Sequence, residues 1–205
     1  LFRSINERIS TIRIPLRNDD HHLTIFSVYA PTLDSEEEQK HHFYATLASS
    51  INSVPPRDKL LLLGDFNARV GRDNTLWPGI IGSHGTGNIN ANGRLLLGLC
   101  AELNLVITNT IFRMRNRNKN TWKHPRSGHW HLIDYSITRQ RDRCDVLVTK
   151  ALRGADDCWT DHRPVMSVMR LRLRSRPRFH SNPHRRRFNL SALHDRQTST
   201  DYQAE

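Results

Sequence analysis

Two polar side chains follow a run of leucines near the middle of the sequence. The run Leu60–Leu63 precedes Gly64, and Asp65 and Asn67 come directly after it. Four consecutive apolar residues are typical of a buried strand, so we expect Gly64 to end that strand in a turn and the two polar residues to project at the rim of a sheet. The carboxylate could take a proton from water or hold a hard cation, and the amide could donate to a phosphate oxygen. The alternative is an ordinary turn, because Gly, Asp and Asn all favour turns.

Other residues with suitable chemistry lie on either side of this run. Tyr29 precedes Ala30-Pro31-Thr32, Asp134 lies between Ile133 and Tyr135, and the pair Asp161–His162 precedes an alternating segment that begins at Val165. Each short motif also has a structural explanation, as a strand aromatic, a strand acid or a loop dipeptide. Their combination and order therefore carry more weight than any one of them.

The intervening sequence predicts an α/β layered domain that would position these groups. Residues 9–30 alternate like a β-hairpin, and a helix is expected from Asp34–Ser35, with Ser35 and Glu38 as a capping box. Strand 59–63 follows this helix. The later expected elements are a long loop over 68–93, a helix over 94–103, and strands over 105–109, 132–138, 145–149 and 165–173.

Taken together, the motifs resemble the endonuclease/exonuclease/phosphatase superfamily. The matching segments are Val28-Tyr29-Ala30-Pro31-Thr32, Gly64-Asp65-Phe66-Asn67, Ile133-Asp134-Tyr135 and Asp161-His162. Three further runs are similar to the endonuclease domain of LINE/RTE-type non-LTR retrotransposons and to craniofacial development protein 2-like sequences; they are Leu62–Gly71, Val106–Thr110 and Thr121–Pro125. The resemblance extends over residues 5–173.

The resemblance implies a fold and a set of roles. The fold is a four-layered α/β sandwich, in which helices flank two β-sheets, and here it would be incomplete at the N-terminus. The implied catalytic residues are Asp65 (which orients or deprotonates water), Asn67 (phosphate or nucleophile), His162 (phosphate and proton transfer), Asp134 (partner of the His162 ring) and Tyr29 (phosphate). Asp161 would be a second carboxylate near the metal, which would be Mg²⁺, with Mn²⁺ as the alternative.

One implied residue has no counterpart in this sequence. The family carries an Asn and then a Glu, its principal magnesium ligand, before the Tyr-x-Pro segment. Glu7 is the only Glu before Tyr29, it lies next to Arg8, and it lacks the expected flanking Gln, so the metal role is not transferred to it. We therefore expect a truncated copy with weak or no activity.

The charge of the chain indicates a polyanionic partner. It has 31 Lys and Arg against 20 Asp and Glu, a formal net charge of +11, and a pI near 10.4. The basic residues cluster with tryptophans, and alternate residues of an extended segment would share one face that could follow a phosphate backbone. The predicted nucleic-acid-binding residues are Arg113, Arg115, Arg117, Lys119, Trp122, Lys123 and Arg126. The alternative is a solvated edge hairpin that its charges protect from aggregation.

Residues 1–173 are predicted to form the domain, and residues 174–205 a basic, disordered linker. By resemblance, a reverse transcriptase would follow this linker in the parent protein. Three widely spaced cysteines, Cys100, Cys144 and Cys158, argue against a disulfide scaffold and favour a reducing compartment. With DNA as the expected partner, that compartment would be the nucleus. No apolar run approaches the roughly 18 residues that a membrane span needs.

The sequence thus predicts a Mg²⁺-dependent endonuclease that nicks DNA. Two alternatives remain open at this point. One is a non-catalytic remnant that binds nucleic acid through its basic segments, and the other is a phosphatase of the same superfamily. A salt titration separates DNA binding from small-substrate binding, because many phosphate contacts make affinity fall steeply with salt.

Overall fold

The centre of the protein is a six-stranded mixed sheet. The computed structural model describes residues 2–17, 21–153 and 160–173. In spatial order the sheet contains β1 (Phe2–Ser4), β2 (Ile9–Pro15), β3 (His22–Tyr29), β4 (Lys59–Asp65), β8 (Asp134–Arg139) and β5 (Leu105–Ile107). β3 and β4 pair in parallel and the other neighbours are antiparallel. Helix α1 (Glu37–Asn52) provides the crossover that a parallel pair requires.

The remaining elements surround this sheet. Helix α2 spans Ala91–Glu102. Two small antiparallel sheets pair β6 (Trp122–Lys123) with β7 (Trp130–His131) and β9 (Val146–Ala151) with β10 (Val165–Met169). Short 3₁₀ segments occur at Thr108–Thr110, Asn116–Asn118 and Gln140–Asp145. Neither of the described α-helices is long and apolar enough to span a membrane.

The two faces of β4 contribute to two different apolar clusters. Leu60 and Leu62 are fully buried in the main core, together with Phe43 and Leu47 of α1. Successive strand residues point to opposite faces, so Leu61 lies on the other face, in a second cluster that Met169 of β10 contacts. The helices therefore cover one face, while the β9–β10 hairpin covers part of the other. Residues at odd positions of β4, including Asp65, share the face away from the helices.

The α/β class and the hairpin that precedes α1 are confirmed, whereas two local predictions are wrong. The helix begins at Glu37 and its N-cap, Glu36, makes no side-chain capping bond; the Ser35 hydroxyl instead lies 3.1 Å from that of Thr32. The expectation that Gly64 ends the strand is also wrong, because β4 continues through Gly64 to Asp65. Gly64 has φ +150°, and a Cβ there would lie 1.8 Å from the Val28 carbonyl oxygen, so only glycine permits this close approach of β3.

The segment that carries the predicted nucleic-acid-binding residues, 113–126, is not extended throughout. The prediction of a single basic face is therefore wrong for residues 113–119. Asn116–Asn118 form a 3₁₀ turn, which rotates the side chains at 113–119 away from strict alternation. The later part does form the edge-type hairpin that the alternative predicted, β6 with β7. The predicted linker, residues 174–205, lies outside the described residues, as does Cys158, and the division into 1–173 and 174–205 stays a prediction.

Candidate active site

Three of the predicted site residues form a row across the sheet. In the register of β3, β4 and β8, Tyr29 pairs with Asp65, and Asp65 pairs with Asp134. Residues opposite one another on adjacent strands present their side chains to the same face. This is the face that the helices do not cover. The extension of β4 through Gly64 is what brings Asp65 into the row, because a strand that ended one residue earlier would leave it in a turn.

His162 completes the site from a separate loop. Its Nδ1 lies 3.0 Å from Oδ2 of Asp134, and its backbone N–H donates to the Thr160 hydroxyl at 3.1 Å. A carboxylate can only accept, so Nδ1 carries the hydrogen of this bond and Nε2 is left for another partner. The hydrogen bond to Asp134 raises the pKa of the His162 ring above its ordinary value, against the opposing effect of partial burial. The predicted pairing of His162 with Asp134 is therefore present in the structure.

Asp65 is an acid that holds its proton more tightly than usual. Burial raises the pKa of its carboxyl to about 6, and the neighbouring charge of Asp134 adds to this, while the Asn67 backbone N–H, which donates to Oδ1 at 2.7 Å, opposes it. Asn67 has φ +46°, a left-handed conformation that Asn tolerates better than most residues. Its side-chain amide donates to the Ala30 carbonyl at 2.9 Å. An amide nitrogen has two hydrogens, so the second can still donate to a ligand.

Tyr29 lies at the open end of the row. Its side chain is half exposed, and the Arg8 guanidinium carbon is 5.5 Å from the ring centroid. A cation over an aromatic ring is attracted by the ring quadrupole, so Arg8 adds a positive group beside the predicted phosphate contact. Sequence reasoning assigned no role to Arg8, because its position beside Tyr29 follows from the pairing of β2 with β3.

Asp161 has a different neighbour from the one predicted. Its Oδ2 accepts a hydrogen bond from the indole N–H of Trp122 at 2.7 Å. The compact group of potential metal ligands within the described residues contains Asp65, Asp134 and His162, whose ligand atoms lie within 4.8 Å of one another. Asp161 is not a member of that group, so its metal role stays a prediction. Glu7 has an 82% exposed side chain whose ion-pair partner is Arg8.

The cluster fits a hard divalent cation that retains several other ligands. Mg²⁺ is usually held by one or two carboxylates together with waters and phosphate oxygens. Among the described contacts, His162 uses one oxygen of Asp134 and Asn67 uses one oxygen of Asp65. The second oxygen of each carboxylate is thus available. The imidazole is a poorer partner for such an ion, since Mg²⁺ prefers oxygen ligands to nitrogen.

Three supporting residues were not predicted to belong to the site. The Thr121 hydroxyl accepts from the backbone N–H of Asp134 at 3.1 Å, and the Asn109 amide donates to the Asp134 carbonyl at 3.2 Å. Asn92, which is buried, donates to the carbonyls of Pro31 and Asn67, both at 3.1 Å. Thr121 and Asn109 lie within the runs that carry the family resemblance, and that was the available signal. Their buried hydrogen bonds depend on tertiary contacts that spacing does not show.

A cleft opens beside the row on the Asn67 side. It has a volume of ≈ 490 Å³, and its lining includes Arg69, Trp122, His124 and His131. The Trp122 ring centroid is 5.4 Å from that of His124 and 6.0 Å from that of His131. Among the predicted nucleic-acid-binding residues, the exposed ones are Arg113, Arg115, Arg117, Lys123 and Arg126, whereas Lys119 and Trp122 are half-buried. The cleft offers ring faces and cations close to Asn67.

The sequence was compared with protein-family models and with curated proteins. No protein-family model matches the sequence. The chain is 38% identical over 173 residues to craniofacial development protein 2 of Bos taurus, a match that covers 84% of this chain and 28% of that protein. The chain thus spans less than a third of the length of the curated relative.

Two solved structures share the fold at low sequence identity. The endonuclease domain of TRAS1, a telomere-specific non-LTR retrotransposon, has a TM-score of 0.56 and 17% identity, over 80% of this chain and 64% of that one. The 3′ phosphatase NExo from Neisseria, bound to a product DNA hairpin, has a TM-score of 0.56 and 17% identity, over 81% of this chain and 66% of that one. These matches confirm the resemblance that the motifs indicated, at the level of the fold.

Proposed function

We propose that this chain, which has the fold of the endonuclease/exonuclease/phosphatase superfamily, is the catalytic part of a Mg²⁺-dependent phosphodiesterase that nicks DNA. One observation carries the proposal. Asp65 and Asp134 are paired neighbours in the sheet, and the His162 ring lies 3.0 Å from Asp134. Two acids and an imidazole in one compact group are suited to proton transfer at a phosphate ester.

Each group has a distinct part in the proposed hydrolysis. Asp65, with a pKa of about 6, is ionised near neutral pH and basic enough to orient and deprotonate the attacking water. His162 is held by Asp134 and, when protonated, donates through Nε2 to a phosphate oxygen. The free N–H of Asn67 and the hydroxyl of Tyr29 are hydrogen-bond donors for the same phosphate group.

The metal ion adds the positive charge that a phosphodiester requires. Asp134 would hold it through the oxygen that His162 does not use, and Asp161 is proposed as a further carboxylate near it. When bound, the ion would draw charge from the phosphate and lower the barrier to attack by water. Mg²⁺ is proposed because the available donors are oxygens, with Mn²⁺ as the alternative.

DNA is the proposed substrate because of charge and fold. The chain carries a net charge of +11, and a neighbour in the comparison is bound to a DNA hairpin. The structural similarity to the endonuclease domain of the retrotransposon TRAS1 supports a parent protein of the retrotransposon type. We further propose that this parent carries a downstream reverse transcriptase and acts in the nucleus, where its substrate lies.

Nicking of supercoiled plasmid with Mg²⁺ tests the proposal directly. We expect weak nicking by the chain, its loss on chelation of the metal, and its loss in Asp65→Ala and His162→Ala. His42→Ala is the matched control, because His42 is an exposed residue of α1 on the far side of the sheet. Nicking that survives both site substitutions would refute the assignment, since it would come from another site or a contaminant.

A second function is favoured by one observation. Within the described residues, Glu7 is exposed, and both Glu7 and Asp161 lie outside the acidic group, so only Asp65 and Asp134 contribute carboxylates to it. A non-catalytic protein that binds DNA would bind with a steep salt dependence and no nicking. We expect Arg113→Ala/Arg115→Ala to reduce the log–log salt slope by about two, as two phosphate contacts require. Arg143→Ala, on an exposed residue of the Gln140–Asp145 segment, is the control that should leave the slope unchanged.

A further inference from the structure

Two consecutive residues, Thr121 and Trp122, connect the two halves of the His162–Asp134 pair. Asp134 begins β8, whereas His162 belongs to the loop that precedes β10. We propose that Thr121 and Trp122 are positioning residues that set the separation of the His162 ring and the Asp134 carboxylate. This inference rests on the proposed function, because it names the residues that align the same site.

Thr121 fixes the Asp134 half. Its side chain is fully buried, and its hydroxyl oxygen accepts from the backbone N–H groups of Ile133 at 3.2 Å and Asp134 at 3.1 Å. These two N–H groups stand where β8 starts, so the hydroxyl determines the point at which Asp134 enters the sheet. A buried N–H without a partner costs about 1–3 kcal/mol, so the Thr121 hydroxyl contributes hydrogen bonding to this site as well as packing.

The same dipeptide fixes the His162 half. The Thr121 carbonyl accepts from the Arg163 N–H at 2.6 Å, and Trp122 forms a β-bridge with His162. The Trp122 indole donates to Asp161 Oδ2 at 2.7 Å, and the Lys123 N–H donates to the Asp161 carbonyl at 2.9 Å. The loop is therefore held immediately before and immediately after His162.

A cation–π contact between Arg163 and Trp130 also links the His162 loop to the β6–β7 hairpin. The Arg163 guanidinium carbon lies 3.5 Å from the ring centroid of Trp130, which pairs with Lys123 across the β6–β7 hairpin. Arg163 also donates through Nη1 to the Arg117 carbonyl at 3.1 Å. The β6–β7 hairpin and the loop that carries His162 are thus joined by side chains as well as by backbone. A site held in this way keeps a near-attack geometry, where a displacement of about 1 Å can cost on the order of a hundredfold in rate.

Substitutions at Thr121 separate positioning from ordinary packing. Thr121→Val preserves the shape and removes the acceptor, whereas Thr121→Ser removes a methyl group and preserves the acceptor. A packing role predicts that Val is the better replacement, and a positioning role predicts that Ser is. We expect Val to lower kcat by about ten- to a hundredfold with KM unchanged, and Ser to retain most of kcat.

Trp122→Phe provides a second variant should Val reduce folding. It keeps an aromatic ring in the cleft but removes the indole N–H that binds Asp161, so kcat on a duplex oligonucleotide with Mg²⁺ should fall while KM stays constant. The matched control is Trp77→Phe, because Trp77 packs partly buried against the main core, away from this dipeptide. A rise in KM with constant kcat in Trp122→Phe would overturn the proposal, since it would assign Trp122 to substrate binding.

Amide hydrogen exchange gives a readout that does not need activity. The Arg163 amide, which donates to Thr121, should exchange faster in Thr121→Val and Trp122→Phe than in the wild type, Thr121→Ser or Trp77→Phe. Unchanged exchange in both site variants would overturn the proposal. If the wild type does not cleave DNA, the proposed function fails, and the exchange comparison alone decides whether this dipeptide positions the loop.

Discussion

Strand β4 has an acid at each end, and the two acids are in opposite electrostatic conditions. Asp58, which precedes the strand, is fully buried and accepts from Arg13 Nε at 2.8 Å and Nη2 at 3.2 Å. Burial opposes its ionisation, but Arg13, with smaller contributions from His22 and Thr24, outweighs burial, so the pKa of the Asp58 carboxyl lies below its ordinary value. At the other end, burial raises the pKa of Asp65 to about 6, and the nearest charged groups include another acid.

The difference shows where the chain tolerates unfavourable charge. Beside the Arg13–Asp58 pair, Lys59 forms ion pairs with Asp142 and Asp145, and Arg141 lies 3.8 Å from Asp142, so each acid at this end of the sheet has a basic partner. At the Asp65 end, one histidine faces two carboxylates, an arrangement that favours stability less but suits proton transfer. The Asp58 end of β4 therefore stabilises the fold, whereas the Asp65 end lowers stability in an arrangement that is suited to proton transfer.

The largest expected effect comes from Asp134→Asn. The amide keeps the shape of the side chain but cannot stabilise a protonated His162, so the pKa of the ring should fall towards its ordinary value. We expect plasmid nicking to slow by about 10²- to 10⁴-fold, the usual contribution of a positioned acid–base group. Asp145→Asn, the same substitution at the charge-matched end, is the control and should nick at the wild-type rate. Equal nicking rates for the two variants would mean that the Asp65 end of β4 is not specifically required for activity.

Asp58→Asn should have the next largest effect, and on stability instead of activity. It removes a buried charge that accepts two hydrogen bonds from Arg13, so the free energy of unfolding should fall by about 2–3 kcal/mol. Urea denaturation measures this change, and the fraction that remains folded should still nick DNA normally. A loss of activity without a loss of stability would mean that the two ends of β4 are not separate in function.

The sequence predicted the Asp65 end of β4 better than the Asp58 end. The leucine run revealed the buried strand, because four consecutive apolar residues fit a strand buried on both faces. Asp65, Asp134 and His162 could be paired only through the family resemblance, since 28 residues separate the last two. Asp58 gave no signal, because its partner Arg13 lies 45 residues away on another strand.

The local errors have a common physical cause. Gly64 was expected to end the strand because glycine is frequent in turns, but here it permits close contact with Val28. The segment at 113–119 was expected to be extended because its charges alternate, but charge alternation does not fix backbone conformation. The roles of Thr121 and Trp122 depend on contacts with a loop about 40 residues later, which local patterns cannot contain.

A smaller effect, of opposite sign to that of Asp58→Asn, is expected from Asp65→Asn. The substitution removes a charge that the folded state holds unfavourably and keeps an oxygen that can accept from the Asn67 N–H. The unfolding free energy at pH 7.5 should rise by about 1–2 kcal/mol, a value reduced from the full pKa shift because the carboxyl is partly exposed to solvent. Nicking should be lost in the same variant. A variant that is both less stable and inactive would show that Asp65 supports the fold.

The pH dependence of these two variants gives the finest test of the comparison. The folded pKa of Asp65 is raised, to about 6 from 3.8, so this group favours folding below pH 3.8 and loses that contribution as pH rises through 6. The stability gain of Asp65→Asn should therefore be absent at pH 3.5 and grow to its full value above pH 6.

The folded pKa of Asp58 is lowered, so its contribution to stability is present above pH 3.8 and disappears as pH falls through the folded value. Chemical denaturation from pH 3 to 8 should show the stability loss of Asp58→Asn shrinking at the acidic end, where both states of the wild type become protonated. Parallel curves for the two variants would mean that the acids at the two ends of β4 share one environment.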